Sequence, residues 1–150
     1  MKVLVISDTH GTSNNEFLRS LILKYSPDVL FHLGDRVKDI APLEQDFTNT
    51  RFIFARGNND LVSSINLSAT ITLDNKKIFF THGHTFYVKQ TLNYVINAAK
   101  TQNADILLFG HTHIQYAQMH ENMLVLNPGA FYYNNYIYFN TDNLTSLVKG

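Results

Sequence analysis

The chain contains no cysteine, which excludes disulfide staples, thiolate metal sites and cysteine nucleophiles. It carries no surplus of charge either. Twelve Lys and Arg face twelve Asp and Glu, a formal net charge of +0, so no basic field exists to hold nucleic acid and stable nucleic-acid binding is not expected. Long apolar runs are also missing. The run after Lys2 stops at Ser7-Asp8, short of the roughly 7–15 residues of a signal-peptide core. Nothing approaches the roughly 20 apolar residues of a membrane span, so no membrane partner is expected. The three prolines and seven glycines are scattered as punctuation, without linker, repeat or low-complexity tract. These absences predict a soluble, cytoplasmic protein.

What is present is core material. Hydrophobic residues make up 45% and aromatics 13% of 150 residues, enough for one folded domain spanning residues 1–150. Val3 to Ile6 is wholly apolar, as expected of a strand covered on both faces. A helix is predicted next: Ser13 and Glu16 have capping-box spacing, and Phe17, Leu18, Leu21, Ile22 and Tyr25 form one stripe before Pro27. Val29–Leu33 and Arg51–Ala55 read as further buried strands, with a weaker helical stretch around Ile40–Phe47 between them. Then the period changes to two. Ile65, Leu67, Ala69, Ile71 and Leu73 alternate with polar residues, Asp74-Asn75 offers a turn, and Lys77–Thr81 runs back as a hairpin partner. Val88, Leu92, Val95, Ile96 and Ala99 mark a second amphipathic helix, followed by strands at Ile106–Phe109, Ile114–Met119, Met123–Leu126 and Tyr136–Phe139. The pattern predicts a mixed α/β (α+β) domain of two packed sheets with helices outside.

Five apolar strands end in polar clusters: Ser7-Asp8-Thr9-His10, Gly34-Asp35, Gly57-Asn58-Asn59-Asp60, Thr81-His82-Gly83-His84 and Gly110-His111-Thr112-His113. Functional groups gather beyond the carboxyl ends of strands in open α/β sheets, so these clusters can converge. In Asp8-Thr9-His10 and His111-Thr112-His113 the i, i+2 spacing puts both side chains on one face if the segment stays extended. Carboxylate, imidazole and amide oxygen without sulfur suit divalent Mn, Fe, Co or Zn. Seven such donors are too many for one ion with an open position, but they divide between two ions sharing a carboxylate. Two ions roughly 3.5–4 Å apart form the usual clamp for displacement at phosphorus.

The ordered set Asp-x-His, Gly-Asp, Gly-Asn-x-Asp, His-Gly-His and Gly-His-x-His resembles the calcineurin-like metallophosphoesterase superfamily. With Asn127-Pro128-Gly129, the short chain resembles its small YfcE/MJ0936-type phosphodiesterase branch, to which the retromer subunit Vps29 is related. The resemblance runs from about Val3 to Gly129 and implies a four-layer αββα sandwich with a dinuclear metal centre. Matched by position, Asp8, His10, Asp35 and His113 would hold the first metal, and Asp35, shared, with Asn58, His82 and His111 the second. Mn2+ is the expected ion, with Fe, Co, Ni or Zn as alternatives. The implied reaction is phosphoester hydrolysis by in-line attack of a bridging hydroxide, with Asp35, Asn58 and His111 in the catalytic set. A small phosphodiester is the expected substrate, because few cationic side chains surround the clusters. The alternative is a catalytically weak, Vps29-like interaction scaffold.

Two features depart from the family pattern. Many members carry a proton-donating His after the metal-binding Asn, whereas this chain has Asn59. After Asn127-Pro128-Gly129 the family continues with Ser and a nearby Pro-Arg, whereas this chain reads Ala130-Phe131-Tyr132-Tyr133. Asn59, His84 and Arg36 are the candidate substrate contacts. His84 is equally readable as a loop histidine, and Arg36 and Arg56 as structural ion pairs. Asp60 reads as an orienting carboxylate, His32 as a core histidine and His120 as solvated. The aromatics of 131–139 suit sheet packing, an apolar patch, a base-stacking platform or a homodimer face.

Overall fold

Four consecutive apolar residues, Val3-Leu4-Val5-Ile6, need cover on both sides, and the computed structural model supplies it. The structure describes residues 1–11, 15–61 and 64–150, with backbone alone at 145 and 146. The chain order is β1 (Lys2–Ile6), α1 (Asn15–Tyr25), β2 (Val29–His32), β3 (Arg51–Phe54), β4 (Ser68–Leu73) and β5 (Lys76–Thr81). There follow α2 (Asn93–Thr101), β6 (Ile106–Leu108), β7 (Gln115–His120), β8 (Met123–Pro128), β9 (Ile137–Asn140) and β10 (Asn143–Lys149). One sheet is ordered β10-β9-β1-β2-β3, the other β4-β5-β6-β8-β7. The strands β1, β2 and β3 run parallel, as do β5, β6 and β8, while β9 is antiparallel to β1 and β10, β4 to β5, and β7 to β8.

Alternation sorts the apolar residues into layers. Val3, Val5, Val29 and Phe31 pack against Ile78, Phe80, Ile106 and Leu108 between the sheets. On the outer face of the first sheet, Leu4, Ile6 and Leu30 meet Leu18, Leu21 and Ile22 of α1. On the outer face of the second, Phe79, Leu107 and Val125 meet Val95, Ile96 and Ala99 of α2. Helix, sheet, sheet, helix: the four-layer sandwich is present. Each fully buried Leu, Ile or Phe contributes roughly 1.5–3 kcal/mol, so the three apolar layers anchor the strand ends that carry the polar clusters.

The hairpin forms with Asp74 and Asn75 both at positive φ (45° and 61°), the geometry of a primed two-residue turn. Its first strand starts at Ser68, not Ile65. The expected helix at Ile40–Phe47 is instead a 3-10 turn, Ala41–Gln45, entered through Pro42. The helix α2 starts at Asn93, and Val88 is buried ahead of it. The strand β10 was not foreseen. The capping-box residue Ser13 lies outside the described residues. Among the described residues no helix is long and apolar enough to cross a membrane.

Candidate metal centre

The carboxyl ends of β1, β2, β3, β5 and β6 meet at one edge of the sandwich. The Asp8 amide donates to the Gly34 carbonyl at 2.9 Å, and the Gly110 amide to the His82 carbonyl at 3.0 Å. His82 Nδ1 reaches the Leu33 carbonyl at 2.8 Å, which ties the two sheets together. The approach is close enough to require glycine at Gly57 and Gly110. A Cβ on Gly57 would lie 2.2 Å from Asp35 Oδ1, and one on Gly110 2.1 Å from Ser7 Oγ.

The loops do not stay extended. Asp8, His10, Asp35, Arg36, His111 and His113 all adopt positive φ, between 49° and 71°. Left-handed backbone costs an L-residue about 1–2 kcal/mol, and such strain gathers at functional sites. The i, i+2 expectation is therefore corrected. Asp8 and His10 do converge, but through two left-handed kinks, and His111 and His113 part company.

Among the described residues two trios result, each with ligand atoms within 4.8 Å of one another: Asp8, His10 and His113, and Asp35, His82 and His111. In the first, His10 Nε2 and His113 Nε2 lie 3.1 Å apart. Asp8 Oδ1 is 3.2 Å from His113 Nε2 and 3.7 Å from His10 Nε2. In the second, His82 Nε2 lies 3.1 Å from His111 Nδ1 and 3.4 Å from Asp35 Oδ1. Asn58 joins this trio, with Oδ1 3.1 Å from His82 Nε2. The atom that comes nearest both trios is Asp8 Oδ1, 3.9 Å from His82 Nε2. Asp35 groups with the second trio only.

The donor set fits a divalent cation. The Leu33 carbonyl only accepts, so His82 Nδ1 carries a proton and Nε2 is the ring nitrogen turned to the site, the atom available to a cation. That nitrogen faces Asn58 Oδ1, His111 Nδ1, Asp35 Oδ1 and Asp8 Oδ1, a set of oxygen and nitrogen donors that one cation can share. A backbone carbonyl fixing the far nitrogen is the usual support of a metal-binding histidine. Asp8 Oδ1 is buried without a hydrogen-bond partner among the described residues. Its other oxygen accepts from Ser7 Oγ at 2.5 Å and the His111 amide at 3.1 Å. Burial, reinforced by His82, pushes His111 down to about 4, so its imidazole is neutral at pH 7. Burial opposes the charge of Asp35, but His82 and the Asn59 bonds outweigh it and hold the carboxyl below its usual range.

The neighbours of the trios have definite tasks. Asn59 donates through its backbone amide to Asp35 Oδ1 (2.9 Å) and through Nδ2 to Asp35 Oδ2 (2.8 Å), so its side chain is engaged with the carboxylate. Asp60 accepts from four backbone amides: Asp35, Gly57, Arg36 and Val37 at 2.7–3.0 Å. It orients backbone, not a neighbouring side chain. Arg36 turns to Asp39 at 3.4 Å and packs over Gly11. His84 stands beside the second trio, its ring centroid 5.4 Å from that of His82, and its Nδ1 is buried without a partner among the described residues.

His32 is fully buried. The Gly34 amide donates to its Nδ1 at 3.1 Å, Nε2 meets Thr9 Oγ1 at 3.3 Å, and burial lowers its pKa to about 4. His120 is not simply solvated, since it pairs with the Tyr116 hydroxyl at 2.6 Å. Sequence reasoning passed over Asp39, which receives the Gly11 amide at 2.9 Å. It also missed the structural role of Asn127, whose Nδ2 donates to the Gly110 carbonyl and Thr112 Oγ1, both at 3.0 Å. The signal for Asn127 was its place before Pro128-Gly129 at a strand end.

A family model described as "Calcineurin-like phosphoesterase superfamily domain" matches residues 1–136. The chain belongs to that superfamily. Among curated relatives, probable metallophosphoesterase YsnB of Bacillus subtilis is 32% identical over 133 residues, covering 87% of this chain and 75% of YsnB. Phosphodiesterase MJ0936 of Methanocaldococcus jannaschii is 29% identical over 146 residues, covering 86% of this chain and 83% of its own. Among solved structures, wild-type Vps29 of Entamoeba histolytica complexed with zinc superposes with a TM-score of 0.80. It is 23% identical, with 98% of this chain and 89% of that one covered, a likeness of fold. For this calcineurin-like domain the metal-suited chemistry of the five clusters and the fold now agree.

Proposed function

We propose that this calcineurin-like domain is a metal-dependent phosphodiesterase with a dinuclear centre, Mn2+ being the expected ion. Asp8, His10 and His113 would hold one cation, and Asn58, His82 and His111 the other, with Asp35 shared between them as the family pattern implies. The observation that carries this reading is the ring of lone pairs about His82 Nε2 together with the orphaned Asp8 Oδ1. When bound, divalent cations supply Lewis acidity to phosphoryl oxygens and raise the acidity of bound water.

The chain's own residues do the rest. The Leu33 carbonyl fixes the tautomer of His82. Asn59 holds both oxygens of Asp35 anionic and in place. Asp60 fastens the loops of β2 and β3 to each other. His84 stands beside the second trio, its ring centroid 5.4 Å from that of His82, as the candidate phosphoryl contact. A diester is favoured over a dianionic monoester because Arg36, the cation next to Asp35, is turned to Asp39. The relative MJ0936 is itself named a phosphodiesterase.

A scaffold reading draws support from Asn59, which occupies the position of the proton-donating His and spends its amide on Asp35. One assay separates the two. The unmodified protein with Mn2+ should hydrolyse bis(4-nitrophenyl) phosphate faster than 4-nitrophenyl phosphate, and EDTA, Asp8→Ala and Asn58→Ala should each abolish turnover. Absence of metal-dependent turnover, or turnover indifferent to both substitutions, rejects the enzyme and favours the scaffold.

A further inference from the structure

Beside the first trio lies an open pocket of about 310 Å³, lined by His10, His113, Ala130, Tyr132 and Tyr133. We infer that this pocket is a subsite for a planar aromatic ester group, so that aryl or nucleotide diesters are the preferred substrates. The inference rests on the phosphodiesterase reading above.

Position is the first argument. One wall is made of the two histidines whose Nε2 atoms face Asp8 Oδ1, so a group in the pocket is joined directly to whatever binds there. The opposite wall is hung on the same loop. The Phe131 amide donates to the Ser7 carbonyl at 2.8 Å and the Tyr132 amide to the Asp8 carbonyl at 3.3 Å. Pocket and trio therefore keep a set distance.

Chemistry is the second argument. Tyr132 and Tyr133 stand edge to face, with centroids 4.9 Å apart, and remain 45% and 65% exposed. They are not core residues, unlike Phe131, which is buried against α1. Ala130, fully buried, is small enough to leave the floor open. Among the described residues the lining includes no Lys, Arg, Asp or Glu, so nothing there recognises a second phosphate or a charged alcohol. A flat, uncharged ring is the group that two exposed tyrosines and two imidazoles can contact over its faces and edges.

Size is the third. An enclosed cavity of roughly 150 Å³ holds a benzene ring, so about 310 Å³ with an open mouth admits one ring system and the linker that follows it.

The test measures ring preference by calorimetry on the Mn2+-loaded protein, with methylphosphonate, phenylphosphonate and adenosine 5′-monophosphate as probes. At least one aromatic probe should bind about tenfold or more tightly than methylphosphonate. Which of the two does so tells an aryl ester from a nucleotide as the source of the ring. Tyr132→Ala and Tyr133→Ala should bring the ratio toward one, and Tyr133→Phe, which keeps the ring, should preserve it. A ratio near one in the unmodified protein overturns the inference, as does a ratio that survives both alanine substitutions. Loss of ring preference alongside intact metal-dependent diester hydrolysis sinks the pocket and spares the hydrolase. Ring preference without such hydrolysis sinks the hydrolase, and the substrate role of the pocket with it.

Discussion

The two trios are built from the same residue types but are supported differently. In the Asp35, His82 and His111 trio, the side chain of His82 is 0% and that of Asp35 3% exposed. Asp35 is gripped at both oxygens by Asn59, and His82 by a carbonyl from the opposite sheet. In the other trio Asp8 is equally buried, but the His10 and His113 side chains are 30% and 36% exposed and face the aromatic pocket. One trio is held; the other is open. Support inside the protein fixes where a cation sits, and openness decides what else can reach it.

That contrast can be broken, and the largest effect should come from the held side. His82→Ala removes the atom on which four donors converge. It should cut metal-dependent turnover by more than the roughly 10–100-fold that loss of a supporting partner costs, and it should lower the Mn2+ stoichiometry measured by elemental analysis. A variant with wild-type metal content would erase the distinction between the trios.

Next in size is an acid effect from beneath the loops. His32 is neutral in the folded state, with its pKa lowered to about 4 from 6.5. The unfolded chain gains a proton below pH 6.5 that the folded one refuses until about pH 4. Stability contributed by the neutral ring is thus whole above 6.5 and falls as pH drops through that window. The loss should total roughly 3 kcal/mol. Denaturant unfolding between pH 7 and 4 reads it directly, and His32→Gln should flatten that part of the profile.

Asn59→Leu should cost about 10–100-fold in Mn2+ affinity or turnover, because Asp35 loses the side-chain bond that restrains one oxygen. Asn59→Asp should be worse still, since it sets a second carboxylate against the first. The smallest effect is expected on the open side. Ser7→Ala removes one of the two bonds to Asp8 Oδ2 and leaves the His111 amide in place, so about tenfold is the expected loss. If Ser7→Ala outweighed Asn59→Leu, the open trio would be the better supported one.

What the sequence reveals follows from what period and residue type can encode. Buried parallel strands show as apolar runs, so β1, β2, β3 and β6 were legible with their polar ends. The strand β10 escaped because a register shift between Asn143 and Val148 interrupts its ladder. Leu144 and Leu147 both pack on the core, a spacing of three that a period-two reading rejects. The 3-10 turn at Ala41–Gln45 escaped for a similar reason: its apolar residues mimic a helical stripe that Pro42 and a single short turn do not sustain.

At the centre, the ligand types could be read from the motifs. The partition of His111 and His113 could not, because it depends on left-handed backbone at both residues, and neither is the glycine that would demand it. The engagement of Asn59 was hidden likewise, being a choice of which way an amide turns.

Asn127 has a practical corollary. Its amide pins the histidine loop through Gly110 and Thr112, while its Oδ1 accepts from the Gly129 amide at 2.8 Å, just before the tyrosine turn. One side chain therefore serves as the mount for both the reactive end and the selective wall. With that mount retained, residues 132 and 133 become exchangeable parts. If the pocket is the proposed subsite, a library confined to those two positions should retune which esters are accepted without redesigning the machinery next door.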